Sequence, residues 1–265
     1  MIDEPLTLAL VAILCVVIVS WLLSIALNDV SFVDSLWPLL FLVAAVVFAL
    51  NFELLSMKGC LVLVLVAVWA LRLSIYITAR NWGQPEDYRY KAIRKKNEPG
   101  FKFKSLYLVF VLQGLLAWLV AMPLLPAIGG QAPLGIVDLI ALALWTIGIL
   151  FESVGDYQLS KFKARVGQEG RVLDAGLWRY TRHPNYFGDF CVWWSFFLFA
   201  VTSGGWWTIA SPIVMSILLL KVSGVAMLEA TIQKRRPKYA DYIRQTNAFF
   251  PGPRRGDGQS TRSTT

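Results

Sequence analysis

Residues 5–28 include no charged side chain, and long apolar stretches recur between positions 34 and 53, over about 59–79, from near 105 to the Pro123 region, and over about 134–151. Each is long enough to cross a bilayer, which takes roughly 20 predominantly apolar residues in a helix. The apolar tract 190–220 is split by Ser203-Gly204-Gly205, a cluster with turn chemistry, into two more helices. The expected fold is therefore all-α, a polytopic integral membrane protein with seven transmembrane helices. Composition agrees, because 57% of the residues are hydrophobic and 16% charged, against roughly 45–50% and 25% for soluble domains. At 265 residues the chain leaves no room for a separate soluble domain.

The first four residues include two acids, Asp3 and Glu4, and neither a basic n-region nor a small-residue cleavage site accompanies the first apolar run, so it reads as a retained helix rather than a signal peptide. Lys and Arg set the expected orientation. The loop 80–104 carries eight, 161–182 carries six and the tail from position 234 carries eight, whereas 128–133 and 203–206 carry none. The positive-inside rule then places the N-terminus outside and the C-terminus in the cytoplasm. The formal charge of +8 is thus explained by topology, not by nucleic-acid binding. Cys15, Cys60 and Cys191 lie in apolar surroundings and His183 is the lone histidine, so no metal site is expected. The whole chain reads as a single membrane domain, with helices 1–4 over 1–128, helices 5–7 and their loops over 129–250, and a flexible tail over 251–265.

Polar groups gather at one end of the spans: Arg72, Tyr76, Asn81, Glu152, Asp156, Arg171, Arg182, His183, Asn185, Asp189, Lys221 and Glu229. Membrane helices carry such groups only at a cost, which a shared polar cavity would offset; single cations can instead snorkel to the interface. Glu152 and Asp156 stand four residues apart on one helical face, a like-charge pair that calls for cations or hydroxyl-rich ligands opposite it. Asn185, Asp189 and Trp193 repeat that step, aligning an amide, a carboxylate and an indole in one column suited to a nucleoside. Interfacial anchoring is the competing reading of Trp193. Arg171, Arg179 and Arg182 precede the helix start at His183-Pro184, where free backbone N–H groups and guanidinium forks suit phosphate. No glycine-rich dinucleotide fingerprint or P-loop occurs, so any nucleotide must be held by the membrane helices.

The run Gly176-Leu177-Trp178-Arg179-Tyr180-Thr181-Arg182-His183-Pro184-Asn185-Tyr186-Phe187-Gly188-Asp189 resembles the C-terminal signature of the membrane-embedded steroid 5α-reductase family, in particular a bacterial branch of largely unassigned substrate. The resemblance continues upstream through Glu152-Ser153-Val154-Gly155-Asp156 and Arg171, and downstream through Glu229, the Tyr239–Arg244 stretch with Tyr242, and Phe249-Phe250-Pro251. It implies an enzyme that binds NADPH and delivers hydride to a carbon–carbon double bond conjugated to a ketone in a lipophilic, steroid- or isoprenoid-like substrate. The implied cofactor contacts are Glu152, Asp156, Arg171, Asn185 and Asp189, joined by Arg182, His183, Tyr186, Trp193, Glu229, Tyr242 and Arg244, with the nicotinamide near Arg72 and Asn81. The family's substrate-handling carboxylate maps to Asp34, followed by Pro38. Its partner tyrosine, three residues before an Arg, maps to Trp69 ahead of Arg72.

An indole N–H can hydrogen-bond a carbonyl but cannot deliver a proton as a phenol can. The expected acids are therefore Asp34 and Tyr76, with Trp37 and Trp69 lining the substrate. A competing reading makes Asp34 only the N-cap of the second helix. The Arg182-His183-Pro184-x-Tyr186-x-Gly188 pattern is also similar to that of membrane methyltransferases of the isoprenylcysteine and phospholipid type, which use S-adenosylmethionine. A transporter or scaffold is the third reading, but no pair of interrupted half-helices recurs in two halves.

Overall fold

The computed structural model describes residues 3–165, 170–222 and 239–255. All regular structure among them is helical. The helices are α1 (Asp3–Leu27), α2 (Val33–Leu50), α3 (Met57–Asn81), α4 (Tyr88–Asn97), α5 (Phe101–Ala121), α6 (Leu124–Gly129), α7 (Ile136–Lys163), α8 (Pro184–Val201), α9 (Ala210–Ile217) and α10 (Tyr239–Gln245). A wide turn with i to i+5 geometry, Leu106–Val111, lies inside α5, and a second, Leu218–Val222, follows α9.

Among the described residues five helices, α1, α2, α3, α5 and α7, are long and apolar enough to cross a membrane. This corrects the expected seven. The chain does turn after α8, where Gly204 takes a φ of 78° that side chains rarely adopt. The two halves of that tract nevertheless fall short of a span. The 18 residues of α8 begin with Pro184, Asn185 and Asp189 and spend several positions on Tyr and Trp, which bring bulk but little hydropathy. Among the described residues the following apolar stretch, Trp206–Lys221, is also shorter than a span. The expected orientation of the termini rested on a count of seven and loses that basis; the protein remains a polytopic integral membrane protein.

Chain contacts define two compact units, Met1–Asp138 with Phe196–Ser211, and Leu139–Ser195 with Pro212–Thr265. In the first, α2 packs on α1, α3, α5 and α6. Its buried face, Leu40, Phe41, Ala44, Ala45 and Phe48, recurs at helical spacing. Small residues set the distances. A Cβ on Gly114 of α5 would lie 2.9 Å from Val17 of α1, and one on Gly59 of α3 would lie 2.3 Å from the Ile128 carbonyl oxygen. Asn28 closes α1 in the left-handed region, at φ 52°, a conformation that Asn tolerates better than most residues.

The first turn of α3 carries a buried ion pair. Lys58, 1% exposed, places Nζ 3.3 Å from Asp138 Oδ1 and donates to Thr202 Oγ1 at 2.9 Å. Thr202 donates to Asp138 Oδ1 at 2.6 Å, and the Gly135 amide donates to Asp138 Oδ2 at 2.8 Å. The charges are thus paired and hydrogen-bonded, the condition under which burial is tolerated.

In the second unit, α7 and α8 meet backbone to backbone. A Cβ on Gly148 would fall 2.6 Å from the Gly188 oxygen, and one on Gly188 would fall 2.5 Å from the Gly148 oxygen and 2.6 Å from the Glu152 nitrogen. Gly188→Ala is therefore expected to destabilise this unit by about 1–3 kcal/mol, because backbone atoms cannot rotate aside. Thermal unfolding in detergent checks it.

Candidate functional site

Two polar constellations stand out, one in each unit. In the first unit it is built around Asp34, the second residue of α2. Phe32, not Asp34, occupies the N-cap position. Asp34 accepts a hydrogen bond from the Tyr90 hydroxyl at 2.6 Å and one from Arg89 Nη2 at 2.6 Å. Tyr90, 6% exposed, in turn accepts from Gln113 Nε2 at 3.1 Å. Arg89 continues to Asp87, with Nε 3.0 Å from Oδ1.

Arg89 and Tyr90 come from α4, whose start is fixed by the Asp87 side chain accepting from the Arg89 amide at 2.9 Å. Burial and the neighbouring Asp34 carboxylate push the Tyr90 phenol well above its ordinary range, so it stays protonated. Burial alone would depress the Arg89 guanidinium, but Asp87 and Asp34 overcome that and hold it charged. Burial likewise opposes ionisation of Asp87, and Arg89 reverses the balance, keeping it below the usual carboxylate value.

Beside this network lies a cleft of about 360 Å³ between the ends of α2 and α3. Ser31, Phe32, Ser35, Asn81, Trp82 and Asp87 are among its walls. Asn81, an expected cofactor contact, lines the cleft together with Asp87, the carboxylate that holds Arg89.

The remaining first-unit expectations distribute differently. Trp69 is fully buried, edge-on to Phe41 at 5.5 Å between ring centroids, and Phe41 meets Trp37 at 4.8 Å. The two indoles therefore belong to one aromatic stack between α2 and α3. Tyr76 carries Arg80 over its ring at 5.8 Å. The phenol that donates to Asp34 is that of Tyr90. Arg72 is half-buried on α3.

The second constellation joins α7 to α8. The two columns read from the sequence do meet, since Asn185 Nδ2 donates to Asp156 Oδ1 at 3.2 Å. Glu152, Asp156, His183 and Asp189 are buried, and His183 stacks on Tyr186 with nearly parallel rings at 5.6 Å. Trp193 is fully buried and so is not an interfacial anchor. Arg171 and Arg179 remain exposed.

Arg182 was expected to suit phosphate. Its Nη1 donates instead to the carbonyls of Thr246 at 2.7 Å and Ile243 at 3.1 Å. It thereby caps α10, whose last carbonyls lack intrahelical partners. Tyr242 is a second clasp, donating to the Trp178 carbonyl at 2.5 Å. Arg244 is exposed and pairs with Asp241. The recognisable run is further tied down where Trp178 Nε1 donates to the Gly155 oxygen at 3.1 Å and Thr181 donates to the Phe249 carbonyl at 2.7 Å. Glu229 lies outside the described residues. Among the described residues no His, Cys, Asp and Glu group could hold a metal ion.

The helices and buried polar groups define a polytopic membrane protein with two polar constellations. The chain belongs to the family described as a protein of unknown function (DUF1295), which matches residues 20–246. It is similar to an uncharacterized protein of Schizosaccharomyces pombe, 27% identical over 266 residues, covering 88% of this chain and 76% of that one. No solved structure matches.

Proposed function

We propose that this protein is an NADPH-dependent reductase of a carbon–carbon double bond conjugated to a ketone, acting on a lipophilic steroid- or isoprenoid-like substrate at the cytoplasmic face of a bacterial inner membrane. The observation that carries the reading is the Tyr90 phenol, buried, protonated, and set between Asp34 and Gln113. Asp34 already receives two donors, one of them cationic, which suits a carboxylate rather than a proton donor. The acid role is therefore assigned to Tyr90 and the orienting role to Asp34. The hydroxyl has one proton, donated to Asp34 in this structure, so a substrate oxygen would have to take the place of Asp34 as its acceptor; charge developing on that oxygen then strengthens the bond as the reaction proceeds, which is the requirement for catalysis rather than mere binding. Arg89 stabilises the anion left when the proton moves.

NADPH, when bound, supplies the hydride. The second unit fits such a group. Glu152, Asp156 and Asp189 are buried acceptors for hydroxyl and amino hydrogens, and exposed Arg171 and Arg179 suit its phosphates. The test is NADPH oxidation by the purified protein in nanodiscs, presented with steroid and isoprenoid enones. Methyl transfer from S-adenosylmethionine, with no binding of NADPH, would overturn the proposal. Asn185→Ala and Asp189→Ala are each expected to weaken NADPH binding by about 1–3 kcal/mol. The double variant is expected to be non-additive, since both side chains project from one helical face; titration of NADPH fluorescence reads all three constants.

A further inference from the structure

We propose that the outward face of α4 and its elbow into α5 form a docking surface for anionic phospholipid, and that docking keeps Arg89 and Tyr90 seated on Asp34. Both α3, which ends at Asn81, and α5, which begins at Phe101, are membrane-length helices. The segment between them must therefore lie at the membrane boundary. With ten residues, YRYKAIRKKN, α4 is too short and too polar to cross.

Its inward cations are already engaged. Arg89 binds Asp34 and Asp87, and Arg94 binds Glu86 at 2.7 Å while lying 4.7 Å over the Phe101 ring. Lys104 donates to the Asn97 carbonyl at 3.0 Å. The outward cations are different: Lys91, Lys95, Lys96 and Lys102 are exposed. Lys91 and Lys95 are four residues apart and share a face, where like charges repel unless an anion covers them. Glu86 and Asp87 are turned to inward partners, so the nearby acid left on this surface is Glu98.

Exposed aromatic rings flank the lysines: Tyr88 at 47%, Phe103 at 71% and Tyr107 at 57%. Rings of this kind settle at headgroup level, and clustered lysines beside them attract anionic lipid, each strengthening association by roughly fivefold. The same ten-residue helix presents lysines outward and the Asp34 ligands inward. An anionic leaflet on one side therefore holds the other side closed.

The docking half stands on this surface alone, whereas any bearing on turnover rests on the reductase reading; the test accordingly reads backbone protection, not activity. The full chain is placed in nanodiscs of phosphatidylcholine, or of phosphatidylcholine enriched in phosphatidylglycerol, and amide hydrogen exchange is followed over 88–104. Phosphatidylglycerol is expected to slow exchange severalfold. The effect is expected to vanish in K91Q/K95Q/K96Q and to persist in K91R/K95R/K96R, with α1, α2 and α3 unchanged in both. Equal exchange in the two bilayers overturns the proposal. So does equal slowing in the glutamine variant, or slowing in the neutral bilayer by inorganic phosphate alone.

Discussion

Tyr90→Phe is expected to reduce enone turnover by roughly 10²–10⁴-fold, the usual contribution of a positioned proton donor, while leaving NADPH affinity unchanged. The substitution keeps the ring, which is 6% exposed, and removes only the hydroxyl that links Asp34 to Gln113. Losing one buried hydrogen-bonded group costs about 1 kcal/mol, too little to unfold a protein of ordinary stability. Asp34→Asn separates the roles further. Its amide oxygen can still accept the Tyr90 proton, but its amide N–H₂ cannot satisfy Arg89, so an intermediate loss is expected. Single-turnover kinetics beside an NADPH titration measure both. Full activity in Tyr90→Phe would remove the phenol from the chemistry and return the assignment to Asp34 or Tyr76.

Lys58→Met is expected to lower stability by about 3–5 kcal/mol, because it leaves the Asp138 carboxylate buried with its cation gone. Asp138 would keep Thr202 and the Gly135 amide as donors, which compensate hydrogen bonding but not charge. Asp138→Leu is expected to cost a similar amount through the stranded ammonium. The double variant Lys58→Met/Asp138→Leu is expected to be more stable than either single one, since no charge is then left alone. Thermal unfolding of the four proteins in one detergent gives the coupling. A double variant as unstable as the sum of the two would show that the sites do not act as a pair.

What could be read from the sequence was what local periodicity encodes. Five apolar runs long enough to cross became five membrane-length helices, and the four-residue steps of Glu152 with Asp156 and of Asn185 with Asp189 became two facing columns. The tract 190–220 yields no span because its first half lies in a helix opened by Pro184, Asn185 and Asp189, because Trp and Tyr look apolar in a count yet add little hydropathy, and because the second half is short among the described residues. The carbonyl contacts of Arg182 had no local signal either: a guanidinium beside a helix start looks the same whether it awaits phosphate or caps the carbonyls of a distant helix. Pairings across many residues left no local signal. Arg89 and Tyr90 lay within a basic loop that the charge count absorbed whole, although an arginine and a tyrosine within two turns of Asp87 could have prompted a search for a distant acid. Lys58 and Asp138, each a solitary charge at the edge of an apolar run, were the visible half of a pair whose meeting only the fold supplies.

That pair also imposes an order on biosynthesis. Lys58 leaves the ribosome in the third helix, and its counter-ion follows at position 138, at the start of α7. At about 5–20 residues per second, the interval of 138 − 58 = 80 residues corresponds to roughly 4–16 s. Through that interval the nascent chain holds a lysine at the entrance of α3 with no acid to receive it, so that end of the helix stays with water or headgroups and seats only when α7 arrives. Thr202 comes later still and completes the contact. A chain halted before α7 would carry Lys58 without the Asp138 counter-ion that the finished protein gives it.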